Sequence, residues 1–218
     1  MNQARHLLAL SACLLAALCA AGFSSTPAFA NWMVEGKTVV EPIEVEAEND
    51  GEEFGFAVPS LNFQLVFKNI VYDKVSLLEG GKTAESFLFT EGAAYMISPK
   101  ILLKNCTPGN LAFDAQGSLL LHNGNTYLRF ENLPEQPLTI TSYAEGCPIG
   151  NVKVVGSVVL EDSSGSFSNE AVSHLVKTAP TSLFPSKLSF GTREMSFLGN
   201  WKVKLKGKEA GKKWGGTI

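Results

Sequence analysis

Two segments near opposite ends of this chain alternate apolar and charged residues one by one. Ile43-Glu44-Val45-Glu46-Ala47-Glu48 places three acids on one face of an extended strand. Trp201-Lys202-Val203-Lys204-Leu205-Lys206-Gly207-Lys208 places four lysines on one face. Successive side chains of a strand point to opposite sides, so each segment reads as apolar within and singly charged without. Opposite charges across paired strands contribute about 0.2–1 kcal/mol per pair, and like charges facing one another destabilise. The two segments are therefore expected to lie close together in the fold, with direct pairing as one way to do so. Two independent solvated faces are the bland alternative.

Strand signals run through the rest of the chain. Leu61 to Phe67, Ile70 to Tyr72, Val75 to Leu78, Ser86 to Thr90, Tyr95 to Ile97 and Ile101 to Leu103 are all rich in β-branched and aromatic residues. Leu119 to His122 and Asn125 to Phe130 flank Asn123-Gly124, the pair that suits a two-residue hairpin turn with positive φ. Two further hairpins are expected, one after Val152–Leu160 through residues 161–165, the other from Lys187–Phe190 through Gly191-Thr192-Arg193 to Leu198. One stretch reads differently: Ser168 could cap a short helix over about 168–177, with Ala171, Val172, Leu175 and Val176 on one face. The same residues could end in a strand. The expected fold is mainly β, an antiparallel sandwich or barrel with at most that one short helix. Alternation alone does not separate a sandwich from a barrel, because both pack the same inward-facing residues.

The opening has the form of an export address. Arg5 precedes an apolar run from Leu7 to about Ala21, and Ala28-Phe29-Ala30 offers small residues at the positions a signal peptidase reads. Residues 1–30 are expected to be a signal peptide cut between Ala30 and Asn31, leaving 31–218 as one β domain. A minor alternative reads Leu10-Ser11-Ala12-Cys13 as a lipobox with Cys13 lipidated. No later run approaches about 18 apolar residues, so no transmembrane segment is expected in the mature chain.

With Arg5 gone, 17 basic residues face 21 acidic ones, a net charge of −4. That mild balance gives no reason to expect nucleic acid as a partner. Of four cysteines, Cys106 and Cys147 alone lie outside the address, both in turn chemistry, and are expected to form a disulfide. A metal site built from Cys106, Cys147, His122 and His174 is disfavoured, because the four stand singly in sequence.

Motifs for chemistry are scarce. His174 has Ser173 and Glu170 nearby in sequence, but no G-x-S-x-G elbow accompanies them. Asn49-Asp50-Gly51-Glu52-Glu53 lacks the spaced acids of a calcium loop and reads as a solvated turn. No phosphate-binding glycine loop is present, and no cofactor is expected. The remaining interaction feature is basic: Trp201, Lys202, Lys204, Lys206, Lys208, Lys212, Lys213 and Trp214 could meet an anionic surface, such as phospholipid or cell-wall polymer.

Gly156-Ser157-Val158-Val159-Leu160, Glu170 to Lys177, Leu188-Ser189-Phe190-Gly191, Lys202 to Gly207 and Gly211 to Gly215 follow one another in an order that resembles uncharacterised secreted β-rich proteins of bacteria. The opening Asn31 to Gly36 is similar to theirs as well. The likeness covers about residues 31–37 and 147–215, and it implies export and a β-rich fold without an activity. Together these features lead to the expectation of an exported, non-enzymatic β protein of the periplasm, envelope or medium. A barrel for an apolar, lipid-like ligand is the alternative, and a secreted hydrolase using His174 and Glu170 stands third.

Overall fold

A computed structural model describes residues 30–50, 53–133, 138–140, 147, 151–185 and 187–217. The expected signal segment up to residue 29, including Cys13, and positions 51–52 of the acidic turn lie outside the described residues. Strands come in the order β1 (Asn31–Val34), β2 (Lys37–Thr38), β3 (Ile43–Asn49), β4 (Phe54–Val58), β5 (Phe63–Leu78) and β6 (Lys82–Met96). Next are β7 (Ile101–Leu102), β8 (Leu111–His122), β9 (Asn125–Asn132), β10 (Leu138–Ile140), β11 (Val152–Val155) and β12 (Ser157–Asp162). The last are β13 (Ser173–Thr178), β14 (Leu188–Phe190), β15 (Arg193–Leu198), β16 (Asn200–Leu205) and β17 (Trp214–Thr217). Among the described residues, helical structure is confined to three single 3-10 turns.

The sheet closes on itself. Around the ring run β5, β3, β16, β13, β12, β9, β8 and β6, and β6 pairs again with β5. The result is an eight-stranded antiparallel barrel, with β4, β15, β14, β11 and β10 continuing outward from the first half of β5. The segments expected to lie close are direct partners across the ring. Lys202 stands opposite Glu48, Lys204 opposite Glu46 and Val203 opposite Ala47. Lys204 Nζ lies 3.1 Å from Glu46 and 3.7 Å from Glu48 on the outside, while Val45, Val203 and Leu205 are buried inside.

Local chemistry explains the main hairpins. Asn123 and Gly124 both take positive φ, 50° and 78°, and join β8 to β9 with His122 opposite Asn125. The runs read as separate strands before and after Glu79-Gly80-Gly81 merge into two long strands, β5 and β6, paired along nearly their whole length. The register slips once, between Tyr72 and Lys74. This bulge lets Tyr72 and Val75 face the same way, toward Phe87 and Glu85 on β6. Gly156, at φ 117°, makes the corner where the chain leaves β11 in the outer sheet and enters the barrel as β12; a Cβ there would strike the Lys187 carbonyl.

No helix forms over 168–177. From Ser173 the chain is β13, with His174 and Val176 inward and paired to Val203 and Trp201 of β16. The helical spacing of apolar residues in this stretch is outweighed by the ladder bonds and inner-face burial that both neighbouring strands offer. Ser168 caps nothing; its hydroxyl hydrogen-bonds the Thr126 side chain at 2.8 Å.

β1, β2 and β17 form a separate small sheet over one end of the barrel. Trp32 packs edge-on against Phe167 and tilted against Trp214, and its indole N–H donates to the Lys82 carbonyl at 2.8 Å. At the other side of the molecule, Cys106 and Cys147 are joined as a disulfide, Cα to Cα 4.6 Å. Cys106 follows β7 and Cys147 follows β10, the two edge strands of the large sheet, so the bond ties its free edges together. With a sequence separation of 41, the chain-entropy model assigns this crosslink about 4 kcal/mol. The double variant Cys106→Ser/Cys147→Ser is expected to lose about 2–4 kcal/mol in urea unfolding while its far-ultraviolet dichroism stays β-type.

Candidate functional site

The barrel interior is built from every second residue of its strands. On β6 these are Thr83, Glu85, Phe87 and Phe89, of which all but Glu85 are nearly fully buried. Phe87 packs against Tyr72 and Phe130, and Phe89 against Phe56 and Phe67. These rings do not fill the space. A cavity of about 60 Å³ lies among Phe56, Ile70, Tyr72, Phe87, Val158 and Trp201, with Glu131 and Asn132 as polar wall residues. A second cavity of about 30 Å³ lies beneath the small end sheet, lined by Trp32, Val75, Thr83, Glu85, Leu128 and Trp214. Phe130 and Trp201 line both.

Glu85 is the one carboxylate in the second cavity. As a whole residue it is half-buried, yet its carboxyl is surrounded by protein, and burial pushes its pKa up to about 8. The Thr83 hydroxyl beside it works the other way, although Thr83 Oγ1 makes no hydrogen bond of ordinary geometry. Tyr72, on the neighbouring strand, is raised well above the ordinary phenol value, first by burial and then by the Glu85 charge. Around neutral pH the interior therefore holds a protonated acid beside a neutral phenol.

The second titratable site is closed. His174, 1 % exposed, has Nδ1 2.6 Å from Asp162 Oδ2 and Nε2 2.7 Å from the Trp214 carbonyl oxygen. A carbonyl only accepts, so Nε2 donates to it, and Nδ1 makes a short hydrogen bond to the Asp162 carboxyl. Burial works to raise the Asp162 pKa. Hydrogen bonds from His174, from the Ser164 side chain and from the Ser164 amide outweigh it and hold the carboxyl below its ordinary value. Neither ring nitrogen is left to activate a nucleophile. Glu170, the acid nearest in the sequence reading, accepts instead from the Gly36 amide at 3.0 Å. Ser166, Ser168 and Thr126 bond one another rather than His174. His122 is half-buried, its ring against Phe184 and Tyr127.

The basic stretch divides. Trp201 and Trp214 are core residues, 6 % and 2 % exposed, so neither belongs to an interfacial face with the lysines. Their indoles sit on the apolar phase of β16 and β17, the phase that faces the barrel and the end sheet. Lys206, Lys208, Lys212 and Lys213 are exposed, Lys202 and Lys204 half-exposed, and Lys212 pairs with Glu209 at 2.6 Å. Ala30 is buried, and β1 starts at Asn31, the residue expected to follow the cut. Among the described residues no three His, Cys, Asp or Glu side chains gather as metal ligands would, and Cys106 and Cys147 are taken up in their disulfide.

Two pH responses follow from these sites. Asp162 titrates lower in the folded chain than in the unfolded one, so its contribution is complete above about pH 4 and is lost as pH falls through the folded value. Asp162→Asn should cost about 2–4 kcal/mol at pH 7, and the deficit should shrink on acidification in unfolding titrations. Glu85 has the opposite sign: wild-type stability falls as pH rises from about 4.5 toward about 8, where the folded carboxyl also ionises. Glu85→Gln should match wild type near pH 4 and exceed it by about 1–3 kcal/mol at pH 8.5.

No protein-family model matches the chain, and no curated protein or solved structure matches it.

Proposed function

We propose that this chain is an exported, non-enzymatic β-barrel protein that binds a small apolar molecule in the larger interior cavity. The observation that carries this reading is the pairing of closure with incomplete filling. Eight strands give an interior just wide enough for side chains to fill or for one small ligand. Here largely apolar side chains line about 60 Å³, room for about four to six water-sized centres. That suits one ring, a short alkyl chain or one end of a lipid-like molecule. A wall of phenylalanine, isoleucine and valine offers water few hydrogen bonds, so an apolar guest is favoured there.

Export is supported by the signal-like opening, by the disulfide, which suits an oxidising compartment, and by the resemblance to secreted β-rich proteins. The non-enzymatic reading is supported by the closed bonding of His174. The exposed lysines Lys206, Lys208, Lys212 and Lys213 favour a periplasmic or envelope setting in which an anionic polymer is a secondary partner.

Native mass spectrometry of protein exported with its own leader tests the reading. The expected result is a mature mass starting at Asn31, two hydrogens lighter than the reduced chain, with an added mass that disappears on denaturation. Val158→Phe, which places a ring in the larger cavity, should abolish the added mass while the folded fraction is kept. Failure of the folded wild type to retain or take up any apolar probe would overturn the ligand reading and leave a packed β domain.

A further inference from the structure

The smaller cavity contains polar groups that the fold leaves without partners. Trp214 Nε1 and Thr83 Oγ1 are buried, in residues 2 % and 3 % exposed; the indole N–H makes no hydrogen bond, and the hydroxyl, beside the Glu85 carboxyl, makes none of ordinary geometry. Thr83, Glu85 and Trp214 all line the smaller cavity. An unmade buried hydrogen bond costs about 1–3 kcal/mol, so under-satisfied polar groups on residues lining one void mark a place where a partner belongs. Gly117, opposite Thr83 on β8, makes room for the Thr83 hydroxyl in the interior: a Cβ there would collide with Thr83 Oγ1.

The three groups define the partner's chemistry. Trp214 Nε1–H only donates and requires an acceptor. The Thr83 hydroxyl donates or accepts, as does a protonated carboxyl. An ammonium has no lone pair and would leave the indole N–H unpaired. A carboxylate would bring a second acid next to Glu85. A neutral oxygen with lone pairs and one hydrogen of its own satisfies all three. The volume of about 30 Å³ holds about two water-sized centres, which rules out a bulkier polar group.

We propose that Thr83, Glu85 and Trp214 form a binding site for one neutral hydroxyl oxygen, supplied by water in the empty barrel or by the alcohol head of a ligand whose apolar body lies in the larger cavity. The alcohol arm rests on the ligand reading above. Phe130 and Trp201, which line both cavities, are the side chains the alkyl chain would have to pass.

The test uses the folded full-length mature protein and four eight-carbon probes: octanol, octane, octanoate and octylammonium. Binding is followed by tryptophan fluorescence, since Trp201 and Trp214 line the cavities. Octanol is expected to bind about tenfold more tightly than octane or either ion, one good hydrogen bond's worth. Thr83→Val should abolish that preference, and Thr83→Ser should restore it. Equal binding of octanol and octane in wild type would overturn the alcohol arm while leaving the ligand reading standing. If no probe binds, the ligand reading fails, and the site is judged on water alone. A long-lived internal water seen by nuclear magnetic relaxation dispersion in wild type, and lost in Thr83→Val, would support it. A dry pocket with no preference for octanol would overturn the proposal.

Discussion

The pairing of β3 with β16 closes the barrel, and the interior exists because of it. Without that ladder, Ile43–Asn49 and Asn200–Leu205 would both be edge strands with unpaired backbone, and the cavities between them would open to water. The energy of the seam comes chiefly from its inner face, where Val45, Val203 and Leu205 join the core. The glutamates and lysines outside add little stability at their exposed positions, but they discriminate against a wrong register, which would bring like charges together. The contact spans most of the chain, and the loop-closure entropy of such a contact must be overcome before burial repays it. The disulfide plays the matching part at the opposite boundary, joining the segments beyond the two strands that remain edges.

Two buried polar clusters differ in how far the fold satisfies them. His174 and Asp162 have each found partners, and Trp214 contributes its carbonyl to the His174 ring. That set is complete, so it locks β12, β13 and β17 together and has nothing left to offer a substrate. The Trp214 indole N–H, by contrast, has found no partner. Thr83 and Glu85, whose carboxyl pKa burial raises, line the same small void. Burying such groups opposes folding, and an apolar filling of the same volume would be more stable. Their retention next to an aromatic-walled cavity is what gives the barrel interior a polar end and an apolar end.

Much of the framework was legible in local sequence. Asn123-Gly124 specified a tight turn because few other pairs accept two positive φ angles in succession. The single acids and single lysines named their strand faces through the period of two, and their opposite signs anticipated that they would meet. Cys106 and Cys147 had no other partners in the chain beyond the expected leader. The segment 168–177 was ambiguous because its apolar residues fit a helix face while His174-Leu175-Val176 could equally end a strand, and pairing with β16 decided for the strand. The key polar residue was missed for a simpler reason. Reading the strand from Ser86 cut it one residue short of Glu85, which is in phase with Phe87 and Phe89 and therefore inward.

What the sequence alone determined was the β character, the turns and the sign of each strand face, because those depend on neighbours within a few residues. Whether Trp201 and Trp214 would face lipid or core, whether the strands would form a sandwich or a closed ring, and whether the interior would be solid or hollow were decided by tertiary structure. Each depends on side-chain volumes brought together from strands far apart in the chain, and on a register set across the whole ring. No local pattern contains that sum.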